Sequence, residues 1–153
     1  MDYNQQQQYQ QPPAQQYQQP QPPVQKLRTD RSLGMYVLLS LVTFGIYGLV
    51  FQYQLIKEIN ITAARDGKKT TGLFLLILLS CITFGIYGIV WQIMFVQRVE
   101  TENLRRSTGV SFGLTDWLIY SILLSFTIVC PFIFLHKQIQ AFNAINTSYN
   151  IYG

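Results

Sequence analysis

Charge is what this sequence has least of. Lys, Arg, Asp and Glu make up 12 % of its 153 residues, where soluble domains average about 25 %. So little charge leaves a hydrated globular surface hard to build and argues against a freely soluble enzyme. Cysteine is scarce as well. Cys81 and Cys130 lie in apolar stretches without Cys-x-x-Cys spacing, which excludes a disulfide scaffold and reads as two small apolar side chains rather than zinc ligands. The single histidine, His136, stands beside Lys137 at the end of an apolar run and reads as an interfacial polar residue rather than a base. The long apolar runs hold no carboxylate, so no proton relay is indicated. No phosphate-cradling glycine loop and no serine elbow is present. The expectation is a non-enzymatic protein with no catalytic, cofactor-binding or metal site.

What is there divides the chain in two. Twelve Gln and five of the six Pro fall in the first 25 residues. Such a stretch has too little apolar area to offset its ordering entropy and reads, over residues 1–27, as a disordered Gln/Pro-rich tether. The remainder, residues 28–149, reads as a helical membrane domain. Three runs of 19 residues, Leu33–Phe51, Leu73–Trp91 and Trp117–Leu135, contain no Asp, Glu, Lys, Arg, Asn, Gln or His. A straight helix of that length, about 28 Å, nearly spans a bilayer's hydrocarbon core of about 30 Å. Ser32, Thr71 and Thr115-Asp116 stand where N-caps belong. Phe51, Tyr53, Trp91 and Trp117 mark the interfaces.

The chain also repeats itself. Residues 37–60 (VLLSLVTFGIYGLVFQYQLIKEIN) and 77–100 (ILLSCITFGIYGIVWQIMFVQRVE) are identical at 11 of 24 positions. The match includes the hexapeptides Thr43–Gly48 and Thr83–Gly88. The units cover about 32–60 and 72–100, and a degraded third copy, about 116–146, aligns Leu124-Ser125 with Leu79-Ser80. An apolar stretch, Thr-Phe-Gly-Ile-Tyr and then an amphipathic tail resembles the prokaryotic membrane-protein family called domain of unknown function 4234. That resemblance implies a small multi-helix integral membrane protein, in the plasma membrane of a prokaryote. It transfers no catalytic or binding residue.

Two geometries suit the repeated motif, and the fold class in both is an all-α membrane protein. In the first, each run is one continuous span. Gly45, Gly48 and Gln52 then share a face, as do Gly85, Gly88 and Gln92, with Thr43 and Tyr47, or Thr83 and Tyr87, on the opposite side. Small residues allow close helix approach in lipid, so the leading functional expectation is helix packing, self-association or scaffolding of a membrane partner. A channel or transporter subunit using Gln52 and Gln92 is the alternative. In the second geometry the helices break at the Gly-Ile-Tyr-Gly motifs, because two glycines three apart lower helix propensity by about 1 kcal/mol each. Each repeat is then a re-entrant hairpin in one leaflet, a membrane-shaping element.

Bilayer thickness favours the spans. Basic residues oppose them: three spans put Lys26, Arg28, Arg31, Arg98, Arg105 and Arg106 on one side and Lys57, Arg65, Lys68, Lys69 and Lys137 on the other. That is no orientation signal; hairpins remove the conflict, and so does dual insertion giving antiparallel partners. The net charge of +4 is spread in ones and twos, which points to anionic lipid headgroups rather than nucleic acid. The tail is expected in the cytoplasm.

Overall fold

The computed structural model describes residues 25–123, 126, 127 and 129–153. Most of the Gln/Pro-rich stretch and the Leu124-Ser125 pair of the third repeat lie outside the described residues. Among those described the chain is all-helical. Its elements are α1 (Leu33–Val42), α2 (Ile46–Thr62), a 3₁₀ turn (Ala64–Asp66), α3 (Leu73–Ile82), α4 (Ile86–Arg105), α5 (Leu114–Trp117), a π-helical segment (Leu118–Leu123) and α6 (Val129–Tyr152).

The continuous spans expected from the 19-residue runs are not formed. The first two runs break at Thr43–Gly45 and Thr83–Gly85, and α1 and α3 are 10 residues each. Among the described residues no helix is long and apolar enough to cross a membrane. The cause is local. Phe44 and Gly45 take φ values of 50° and 87°, and Phe84 and Gly85 take 51° and 88°. Two successive left-handed residues reverse a right-handed helix, and glycine takes such a φ at no steric cost. The chain therefore folds back, α1 against α2 and α3 against α4. The π-helical segment likewise packs against α6. Pro131 is the third residue of α6, where its missing N–H has no intrahelical acceptor to lose.

The packing inverts the usual relation between hydropathy and burial. The two most apolar helices, α1 and α3, contain no buried residue. The core is built instead from the lower halves of α2, α4 and α6. Phe51, Leu55 and Ile59 recur every fourth residue on α2, as do Trp91, Phe95 and Val99 on α4, and they meet Phe134, Ile139, Phe142 and Ile145 of α6. Such spacing places side chains on one helix face. Phe95 stacks between Trp91, with ring centroids 4.9 Å apart, and Phe142, 6.0 Å away.

Below this core the links and both described ends of the chain are tied together. The Leu27 N–H donates to Asn150 Oδ1 at 2.8 Å, and Asn143 Nδ2 donates to the Arg31 carbonyl at 2.8 Å. Arg106 reaches the Thr62 carbonyl at 2.9 Å and lies over the Tyr149 ring. Arg31 forms a bidentate pair with Glu58, which also accepts from Asn146 Nδ2 at 2.8 Å. Both members of the pair are buried, so each charge depends on the other. None of the 11 Lys and Arg residues lies in 32–56 or 70–97, the stretches that carry the two turns. The molecule has a charged base and an apolar, hairpin-tipped half.

Candidate functional site

The duplicated hexapeptide builds the same turn twice. Thr43 Oγ1 donates to the Leu39 carbonyl at 2.7 Å and accepts the Tyr47 N–H at 2.9 Å. Thr83 does the same with Leu79 and Tyr87, at 2.8 and 3.0 Å. One hydroxyl thus joins the end of one helix to the start of the next. The Gly45 N–H reaches back to the Ser40 carbonyl and Gly85 to Ser80, both at 2.7 Å, the six-to-one bond of a helix C-cap. In the first hairpin every N–H from Thr43 to Gly48 has an acceptor within the turn. In the second the same holds from Thr83 to Tyr87. A turn with its donors satisfied internally needs no water to solvate them.

What the turns present is apolar. Phe44 and Phe84 are 97 % and 96 % exposed, and Phe126, at the fold-back before α6, is 82 % exposed. A non-glycine residue at positive φ is uncommon, and holding phenylalanine there at full exposure spends strain to aim a ring outward. Val42, Ile46, Leu41, Ile82 and Ile86 extend this surface down the flanks. Contiguous apolar surface of this kind marks an interaction face rather than ordinary solvent exposure.

The other motif residues have intramolecular roles. A side chain at Gly48 would meet Tyr36 Oη at 3.2 Å, and one at Gly88 would meet Ser80 Oγ at 3.0 Å. These glycines therefore let the two arms of one hairpin approach. Tyr47 packs on Tyr36 and Phe51, and the Tyr87 and Thr71 hydroxyls share a 3.1 Å hydrogen bond. Gln52 and Gln92 are half-buried on separate helices. Among the described residues Gln52 Nε2 has no hydrogen-bond partner, and no hydrogen bond joins the two side chains. Of the expected caps, Ser32 accepts the Met35 N–H at 3.3 Å. Gly72, not Thr71, caps α3, and Asp116 accepts the Gly113 N–H at 3.1 Å. His136 contacts Gln140 at an exposed position.

A second feature lies where the second hairpin meets the base. A cleft of about 540 Å³ is lined by Lys68, Lys69 and Thr71 from the link, and by Tyr87, Trp91, Met94 and Arg98 from α4. Arg98 pins the link. Its guanidinium donates to Asp66 at 2.8 Å, Thr70 Oγ1 at 2.7 Å, Asn60 Oδ1 at 2.6 Å and the Lys68 carbonyl at 2.6 Å. Burial pushes the Asp66 carboxyl up, but bonds from Arg98 and the Lys68 N–H outweigh it and hold the group below its ordinary 3.8. Glu102 follows the same balance: burial raises it, while Arg105 and Arg106 bring it below the ordinary 4.5. Arg31, Glu58 and Arg98 read in the sequence only as isolated charges beside the apolar runs. Their partners are 27 to 88 residues away, so no local pattern announced them.

Residues 31–101 match the family described as Domain of unknown function (DUF4234), the one the repeated motif resembles. The match covers both clear hairpins, α1–α2 and all but the end of α3–α4. No curated protein and no solved structure matches the chain.

Proposed function

We propose that this chain, of that family over residues 31–101, is a monotopic membrane protein that wedges apolar helical hairpins into one leaflet and thereby anchors and bends the membrane. The observation that carries the reading is the twin turn: donors satisfied internally and a strained phenylalanine fully exposed at the tip. Length supports it. Helices α1 and α3, 10 residues each, rise about 15 Å, half of a hydrocarbon core of about 30 Å. Charge supports it too, since folding back gathers every basic residue on the headgroup side. The role is non-enzymatic, and the partner is the bilayer. Area added to one leaflet alone favours curvature, so binding should rise on small vesicles.

Depth measurement tests this. With Trp91 and Trp117 replaced by Phe, a single Trp at position 44 or 84 is read against lipids brominated at different acyl positions. The expected result is strongest quenching by bromines nearest the bilayer centre. Equal, weak quenching at all depths would reject insertion.

A further inference from the structure

Three of the positions at which the two repeats differ lie together, and they make a site. At the 40-residue offset Arg31 corresponds to Thr71, Phe51 to Trp91 and Glu58 to Arg98. In the first repeat the three close on each other: the Arg31 guanidinium lies 5.9 Å from the Phe51 ring centre and pairs with Glu58. That repeat fills its own interfacial niche with its own cation and anion. In the second repeat the arginine is a short threonine and the carboxylate is an arginine, and the niche is the open cleft whose lining includes Thr71, Trp91 and Arg98.

The cleft's charges sort into spent and available. Asp66 is held by Arg98. Glu100, also in the lining, turns away to accept the Leu114 N–H at 3.1 Å, and its carboxylate packs closely enough on Gly113 that a side chain there would displace it. Lys68 and Lys69 form no ion pair among the described residues, although the Lys68 charge helps to lower Asp66, and the Arg98 bond to the Lys68 carbonyl and the Lys68 N–H bond to Asp66 fix the backbone there. Below them the wall turns aromatic and apolar. Trp91 uses its indole N–H on the Thr71 carbonyl at 3.3 Å, and Tyr87 uses its hydroxyl on Thr71. The apolar part of the lining is Tyr87, the largely buried Trp91, and the exposed Met94 and Leu104, while the positive charge comes from exposed Lys68 and Lys69 and from Arg98, whose guanidinium is committed to Asp66.

We propose that this cleft binds one anionic glycerophospholipid, its phosphate between Lys68 and Lys69 and the start of an acyl chain along Trp91 and Met94. The proposal rests on the one-leaflet reading, which sets the cleft at headgroup level. Its size lies within the range of small-ligand clefts, about 300–1,000 Å³. A bound lipid would do for the second repeat what Arg31 and Glu58 do for the first, and would tie the second hairpin to acidic membranes.

The test uses the full chain in uncharged detergent micelles, where insertion depth plays no part. Calorimetric titration with dihexanoyl-phosphatidylglycerol should show a saturable site, at least tenfold tighter than for dihexanoyl-phosphatidylcholine. Lys68→Gln/Lys69→Gln should weaken phosphatidylglycerol at least tenfold and leave the melting curve unchanged, while Arg65→Gln, a basic residue outside the cleft, should change nothing. Equal affinity for the two lipids, or for the double variant and the native chain, would overturn the proposal. Inorganic phosphate binding as tightly as the lipid would also overturn it, by assigning the cleft to the free anion. Failure of the hairpin reading would appear instead as absent quenching at positions 44 and 84, with this titration unaffected.

Discussion

The hairpin half and the base of this molecule are made of the same kinds of residue put to opposite uses. In the base, Leu55, Ile59, Phe95 and Phe142 are sealed from solvent and charges are matched in buried pairs. In the hairpins, Leu38, Leu41, Phe44, Phe74 and Phe84 face outward with no charge near them. The base is an ordinary protein core. The hairpins are a core whose other side must come from elsewhere. A high apolar content therefore does not by itself say span or core. The position of the chain reversals decides, and here one Thr-Phe-Gly turn, used twice, makes that decision.

The comparison breaks most visibly at the tips. Phe44→Asp with Phe84→Asp should leave folding of the base intact and weaken vesicle binding by on the order of 10²–10⁴-fold. Each buried Phe contributes about 1.5–3 kcal/mol, and about 1.4 kcal/mol is tenfold. Flotation with vesicles, beside a melting curve in detergent, separates the two readouts.

The reverse pattern is expected in the base. Glu58→Ala strands a buried Arg31 and should cost about 3–5 kcal/mol of stability, read as a lower denaturation midpoint. Glu58→Gln should recover part of the loss. Smaller and more specific is the turn itself. Thr43→Val keeps the shape but removes the acceptor of the Tyr47 N–H, a loss of about 1–3 kcal/mol where that group is shielded from water. The loss should be larger in bilayers than in micelles, and Thr83→Val should behave alike.

The smallest effect is titration of the base. Glu102 is held below its ordinary 4.5 in the folded chain, so its contribution is complete above that value. It is lost as pH falls through the depressed one. Melting temperature measured from pH 7 to 3 should decline at the acid end, and Glu102→Gln should flatten that decline.

Much of this was written openly in the sequence. The duplication, the charge-free runs and the helix-breaking capacity of Gly45 and Gly85 are all legible, and the conflicting basic residues already spoke for fold-back. The straight-span reading failed because a run of 19 apolar residues is as long as one crossing or two half-crossings, and length cannot separate these. What separates them is the Thr43 hydroxyl bridging two helices and Phe44 accepting a left-handed φ, which are properties of the closed turn. The base was less legible. Glu58 lies on a helix between Lys57 and Ile59 and reads as solvent-facing until Arg31 and Asn146 arrive from far along the chain. The open cleft is invisible in either repeat alone, since only the paired geometry shows Thr71 leaving empty what Arg31 fills.

Single-leaflet insertion is tested most directly by the sides on which the links lie. Single cysteines at Asp66, Ser107 and Gly153, in a chain with Cys81 and Cys130 replaced, are labelled in sealed vesicles by a reagent that does not cross the membrane. The hairpin account predicts that all three label from the same side. Labelling of Ser107 from the side opposite to Asp66 and Gly153 would contradict it and restore three crossings.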